Sequence, residues 1–182
     1  MNGDLATVLA ICGGAAAIGN GLLFLTAGMA KLRARRVFPG VVANYRLLPD
    51  ALVGPVAMAL PLAEVLIGAS LLGGVAAAAL PASMLLLVFA AAMAVNIRRG
   101  RAHIDCGCGR SELRQPLSRA LVVRNIVLAA LLAPSLAGLP AFGSAAWGFA
   151  LAGGLALYLL TLLVNALSAL AAGSLALERN SR

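Results

Sequence analysis

The chain has 182 residues, 62% of them hydrophobic, with a mean hydropathy of +1.00 and only 11% charged side chains. That is too little polar surface to clothe a soluble domain, so most of the exterior must face lipid. The net charge of +8 raises nucleic acid as a partner, but the cations fall between apolar runs, and membrane topology accounts for them without nucleic acid.

A helix of about 20 apolar residues spans a bilayer core. Runs of that kind cover residues 5–30, 53–72, 75–95, 117–136 and 145–170. They are rich in Ala and Leu and lack the strict alternation of barrel strands, so they predict helices. The expected fold is all-α: a polytopic membrane bundle of four core transmembrane helices plus a fifth C-terminal span. Residues 1–182 form a single integral membrane domain. Asp4 is the only charge before the first span. With no basic region and no small-residue cleavage site there, that span is expected to remain as an anchor.

After the first span, Phe38, Val41, Val42, Tyr45 and Leu48 recur at helical spacing among basic residues. This predicts a helix lying in the membrane interface over 33–50. Leu48-Pro49-Asp50 ends it, since proline disfavours helix at the residue before it. Pro55, Pro61 and Pro81 predict kinks or first-turn positions. The Gly13–Ala17 and Ala76–Ala79 stretches of small residues predict close helix approach.

Lys31, Arg33, Arg35, Arg36 and Arg46 follow the first span. Arg98, Arg99, Arg101, Arg110, Arg114 and Arg119 lie between the third and fourth, and Arg179 and Arg182 follow the fifth. The connections at 73–74 and 137–144 carry no charge. Positive charge stays inside, so the N-terminus is expected outside a plasma or inner membrane, with the C-terminus and the 96–110 loop cytoplasmic.

That loop carries the chemistry, in Asp105-Cys106-Gly107-Cys108-Gly109. A thiolate attacks a disulfide and a neighbouring thiol resolves the mixed intermediate, which makes Cys106 and Cys108 a candidate redox pair. Arg101 and Arg110 favour the thiolate, and Asp105 is a candidate proton acceptor. The alternatives are a soft-metal site on His103, Cys106 and Cys108, as in a small transporter or metal carrier, or a structural subunit whose cysteines are merely small residues. No cofactor is indicated. Cys12, alone in the first span, reads as a small core residue.

Glu64 sits in mid-span, where an ionisable group is costly and marks a function or a buried pair. Arg124, followed by Asn125, lies two turns into the fourth span, and a Glu64–Arg124 pair is expected. Lys31 is the competing partner, expected instead to snorkel to the interface.

Read in order, Ala30-Lys31-Leu32, Phe38, Tyr45–Pro49, Leu60–Glu64 with Gly68, Arg99-Gly100, Asp105–Gly109 and Arg124-Asn125 resemble the MauE family within the DoxX-like membrane proteins. The resemblance covers roughly residues 24–133. It implies a four-helix membrane core and a role in maturing or exporting the disulfide-rich small subunit of methylamine dehydrogenase. It also implies a thioredoxin-like protein and that dehydrogenase-like subunit as partners. Oxidative maturation belongs outside the cytoplasm, whereas the charges place the Cys106–Cys108 loop inside.

Overall fold

A computed structural model of the chain describes residues 2–107, 115–136 and 144–180, with side chains placed over 5–107, 115–136 and 146–170. The elements in order are α1 (Asn2–Arg33), α2 (Phe38–Asn44), α3 (Asp50–Leu72), a 3-10 turn (Ala76–Ala78), α4 (Ala79–Arg98), α5 (Arg119–Leu131), α6 (Ala133–Leu136) and α7 (Ser144–Asn180). Among the described residues there is no strand, only an isolated bridge between Asp105 and Pro116.

Five helical segments are long and apolar enough to cross a membrane: Leu5–Arg33, Asp50–Leu72, Ala76–Arg98, Arg119–Leu136 and Ala146–Leu170. These are the five expected spans, with shifted ends. The second begins at Asp50 because Pro49 caps it with extended backbone, and the Asp50 carboxylate then sits in the first turn, where the helix dipole favours it. The fourth begins at Arg119 because the Ser118 hydroxyl caps it, accepting from the Leu121 amide at 3.3 Å. That span breaks at Leu132 into α5 and α6. Pro134 has no N–H to give the Ala130 carbonyl, which forces the break. Pro55 and Pro61 lie inside α3 without ending it. The helix expected after the first span forms but is short, seven residues from Phe38 to Asn44.

Side chains such as Met58, Leu66, Leu159 and Leu170 point outward from the spans, as lipid-facing residues do. Lipid is as apolar as leucine, so packing and polar contacts hold the helices together rather than water exclusion. α1 is the hub. It runs antiparallel to α3, with Gly21 meeting Gly68 and Leu72, and Gly28 meeting Pro61 and Glu64. It runs parallel to α7, with Ala15 on Gly153 and Gly19 on Leu157. α6 returns to the start of α1, where the Ser135 hydroxyl donates to the Gly13 carbonyl at 2.8 Å. α5 lies along α4, and the Ser83 hydroxyl donates to the Ala129 carbonyl at 3.3 Å.

Two apolar clusters lie at different depths. One joins Ala16, Ala17, Phe24, Leu71, Ala79, Ala82, Leu86, Leu128 and Leu132, and uses the small residues that stand out in the sequence. The other, Met93, Ile104, Cys106, Leu117 and Leu121, lies beneath the loop after α4. The connection at 34–49 and the described parts of the one at 99–118 share that end of the bundle, since α1 and α4 finish there and α3 and α5 start there.

Candidate functional site

The loop carrying Cys106 is launched by the end of α4. Gly100 takes a φ of +73°, a left-handed conformation that costs glycine little. The Gly100 amide then donates to the Ile97 carbonyl at 3.0 Å and the Arg101 amide to the Asn96 carbonyl at 2.9 Å, the pair of bonds that closes a helix C-terminus. The loop returns against itself: Cys106 N–H donates to the Gln115 carbonyl (2.9 Å) and Leu117 N–H to the Ala102 carbonyl (2.9 Å).

Cys106 is buried. The Tyr45 hydroxyl donates to its carbonyl at 3.0 Å, and its thiol donates to Gln115 Oε1 at 3.6 Å. Asp105 Oδ1 accepts from the Gly107 amide at 3.1 Å. The carboxylate therefore holds the turn around the cysteine. Gly107 has a φ of +68°, and a Cβ there would lie 2.9 Å from Val41 Cγ1. Only glycine both makes this turn and lets α2 close over it. The Arg101 guanidinium donates to the Asn44 carbonyl at 2.7 Å and to Asn96 Oδ1 at 3.4 Å, tying the loop to α2 and α4. Cys108 and Arg110, the other expected members of the redox site, lie outside the described residues. His103 is exposed, and among the described residues no three of His, Cys, Asp and Glu gather as a metal set.

The intramembrane charges pair differently from the expectation. Glu64 is ion-paired with Lys31, not with Arg124. Gly28 and Gly68 are the reason. A Cβ on Gly68 would lie 2.7 Å from the Leu25 amide nitrogen, and one on Gly28 would lie 2.8 Å from the Pro61 carbonyl oxygen. The α1 and α3 backbones approach so closely that the last turn of α1 delivers Lys31 to Glu64. Lys31 is accordingly buried rather than snorkelling. Its ammonium also lies 5.8 Å from the Phe38 ring centre and 5.4 Å from that of Phe89, a cation–π setting. Arg124 turns instead to amides, donating through Nε (3.2 Å) and Nη2 (2.9 Å) to Asn125 Oδ1 and through Nη1 to Asn165 Oδ1 on α7. Cys12 differs from the expected core role, since it is exposed on the lipid-facing side of α1.

These groups share one space. A cavity of about 770 Å³ is lined by Asn20, Lys31, Glu64, Arg124, Asn125 and Asn165, with apolar walls that include Phe24, Phe89 and Leu128. Gln115 also lines it, and its Nε2 donates to the Asn165 carbonyl at 3.2 Å. Hydrogen bonds thus run from the Cys106 thiol through Gln115 to Asn165, and from Asn165 to Arg124. Asn20, Gln115 and Asn165 were not legible as site residues. A lone amide in an apolar run gives only a weak signal until the fold brings several together.

Helices that cross a bilayer around a buried ion pair and a polar cavity define a multi-pass membrane protein, with a cysteine loop packed against one end of the bundle. The chain belongs to the MauE family, described as methylamine utilisation protein MauE, whose model matches residues 7–139. It is 50% identical over 122 residues to methylamine utilization protein MauE of Paracoccus denitrificans, covering 66% of each chain. To the protein of that name from Paracoccus versutus it is 45% identical over 121 residues, covering 65% of each. To that of Methylorubrum extorquens it is 43% identical over 145 residues, covering 79% of this chain and 77% of the relative. The chain thus spans just under two thirds of the two Paracoccus relatives' length. No solved structure matches it.

Proposed function

We propose that this chain is a thiol–disulfide maturation factor of the plasma or inner membrane, acting in methylamine utilisation on a disulfide-rich dehydrogenase subunit alongside a thioredoxin-like protein. Cys106 and Cys108 are its exchanging pair. A thiolate of the pair attacks a partner disulfide and forms a mixed disulfide. The second thiolate then displaces the partner sulfur, so the partner leaves as a dithiol and the pair is left oxidised. Run in reverse, the same steps deliver one disulfide, with no net change in electrons.

The observation that carries this reading is the setting of Cys106. It is a thiol-bearing turn held by Tyr45, Gln115 and the Asp105 turn, with a second cysteine two positions on in sequence. The family membership supplies the pathway. Asp105 acts as a positioning residue here.

The test is complementation of a methylamine-utilising host deleted for its own family member. The wild-type chain and the Cys12→Ala variant are expected to restore growth on methylamine and full oxidation of the dehydrogenase small subunit. Cys106→Ser and Cys108→Ser, present at wild-type levels in the membrane, are expected to abolish both. Growth and normal disulfides with the double Cys106→Ser/Cys108→Ser variant would reject the redox role and leave a structural subunit.

A further inference from the structure

We infer that the cavity bordered by α1, α5 and α7 binds an amphiphile with an oxyanion head group, a phosphate or carboxylate carried on an acyl chain. The inference does not depend on the redox reading. Its first support is charge. Lys31 and Glu64 neutralise one another. Arg124 lies on a spanning helix, lines the same cavity, and among the described residues bonds the neutral amide oxygens of Asn125 and Asn165. Among the described residues no carboxylate pairs with it. A guanidinium in low dielectric without a counter-ion is costly, and its planar fork matches an oxyanion.

The second support is independent. Asn125 is 1% exposed, and its Oδ1 is committed to Arg124. Its Nδ2 has no hydrogen-bond partner among the described residues. That amide and the remaining guanidinium N–H groups belong to two residues that line one cavity, and donors need an acceptor. Asn20 Oδ1, also fully buried and unpartnered among those residues, takes a donor such as a glycerol hydroxyl.

The third support is size and wall chemistry. About 770 Å³ holds far more than a head group and falls within the range of ligand sites. The walls at Leu23, Phe24, Leu86, Leu128 and Leu162 suit a hydrocarbon chain. An uncharged quinone or neutral lipid would fill the same walls yet leave Arg124 uncompensated.

The test uses the purified full chain in a neutral detergent, reading thermal unfolding and lipids retained in native mass spectrometry. Phosphatidylglycerol is expected to raise the unfolding midpoint and to stay bound, while diacylglycerol, which has the acyl chains and no oxyanion, does neither. Arg124→Gln is expected to weaken phosphatidylglycerol binding about ten-fold or more, the loss of one charge-assisted hydrogen bond, and Arg124→Lys to restore part of it. Inorganic phosphate is expected to act only at much higher concentration. Equal stabilisation by phosphate would overturn the acyl-chain part and leave a free oxyanion site. Equal effects of the two lipids, or phosphatidylglycerol binding that survives Arg124→Gln, would overturn the proposal. Should Arg124→Gln fail to fold, Ala169→Phe fills the cavity from a half-exposed position on α7, and unchanged phosphatidylglycerol binding in that variant would be equally fatal.

Discussion

Lys31 and Glu64 lie 33 residues apart in sequence, on different helices, and meet where neither meets bulk water. Such a pair adds little net stability, because desolvation of both ions offsets their attraction, but breaking it strands a charge. Glu64→Leu and Lys31→Met alone are each expected to destabilise the protein by about 3–5 kcal/mol, and the double variant to recover most of that loss. A double-mutant cycle on unfolding in detergent measures this, and additive losses would mean the two charges do not compensate each other. Tyr45 and Cys106 give a second test at this scale. Removing the hydroxyl with Tyr45→Phe deletes the 3.0 Å bond to the Cys106 carbonyl. It is expected to cost about 1 kcal/mol and to speed alkylation of Cys106 by a small maleimide several-fold.

The α1–α3 seam decides what those residues can do. It is built from glycines on both helices, and at Gly28 and Gly68 it is backbone that lies nearest to where a Cβ would go. Gly68→Ala is expected to push the helices apart at a cost of about 1–3 kcal/mol, separating Lys31 from Glu64. Gly54, on the same helix, has open space within 4 Å of where a Cβ would sit, so Gly54→Ala is the matched control and is expected to be neutral or stabilising by up to about 1 kcal/mol. Equal unfolding midpoints for the two variants would show that the seam is looser than this packing. The end of α4 is the second element that matters, since Gly100 turns the chain into the cysteine loop and Arg101 then pins that loop to α2 and α4.

At the scale of the whole molecule, alternating helix directions gather the 34–49 and 99–118 connections at one end of the bundle. With the flanking helix ends (residues 31–46 and 98–119) they carry 11 of the 14 cations, which makes that end the expected cytoplasmic one. A membrane-impermeant maleimide applied to intact cells carrying the Cys12→Ala chain is therefore expected to leave Cys106 and Cys108 unlabelled until the membrane is permeabilised. Labelling of intact cells after reductant alone would put an oxidised pair on the outer face, and would favour disulfide delivery over transfer of reducing equivalents.

Sequence alone determined the class of fold. Length, hydropathy and the placement of cations depend on local composition, and a lipid solvent imposes helices on any such run. It also marked Glu64, Arg124, Asn125 and the Cys106 turn, because a charge in a greasy span or two thiols one residue apart stand out without a partner. Tertiary structure decided the partnerships. Lys31 rather than Arg124 neutralises Glu64, because the distance between two helix axes is set by glycines whose function is invisible until the helices are placed side by side. The same holds for the cavity. Asn20, Gln115 and Asn165 come from three separate segments, and only packing turns scattered amides into one polar space.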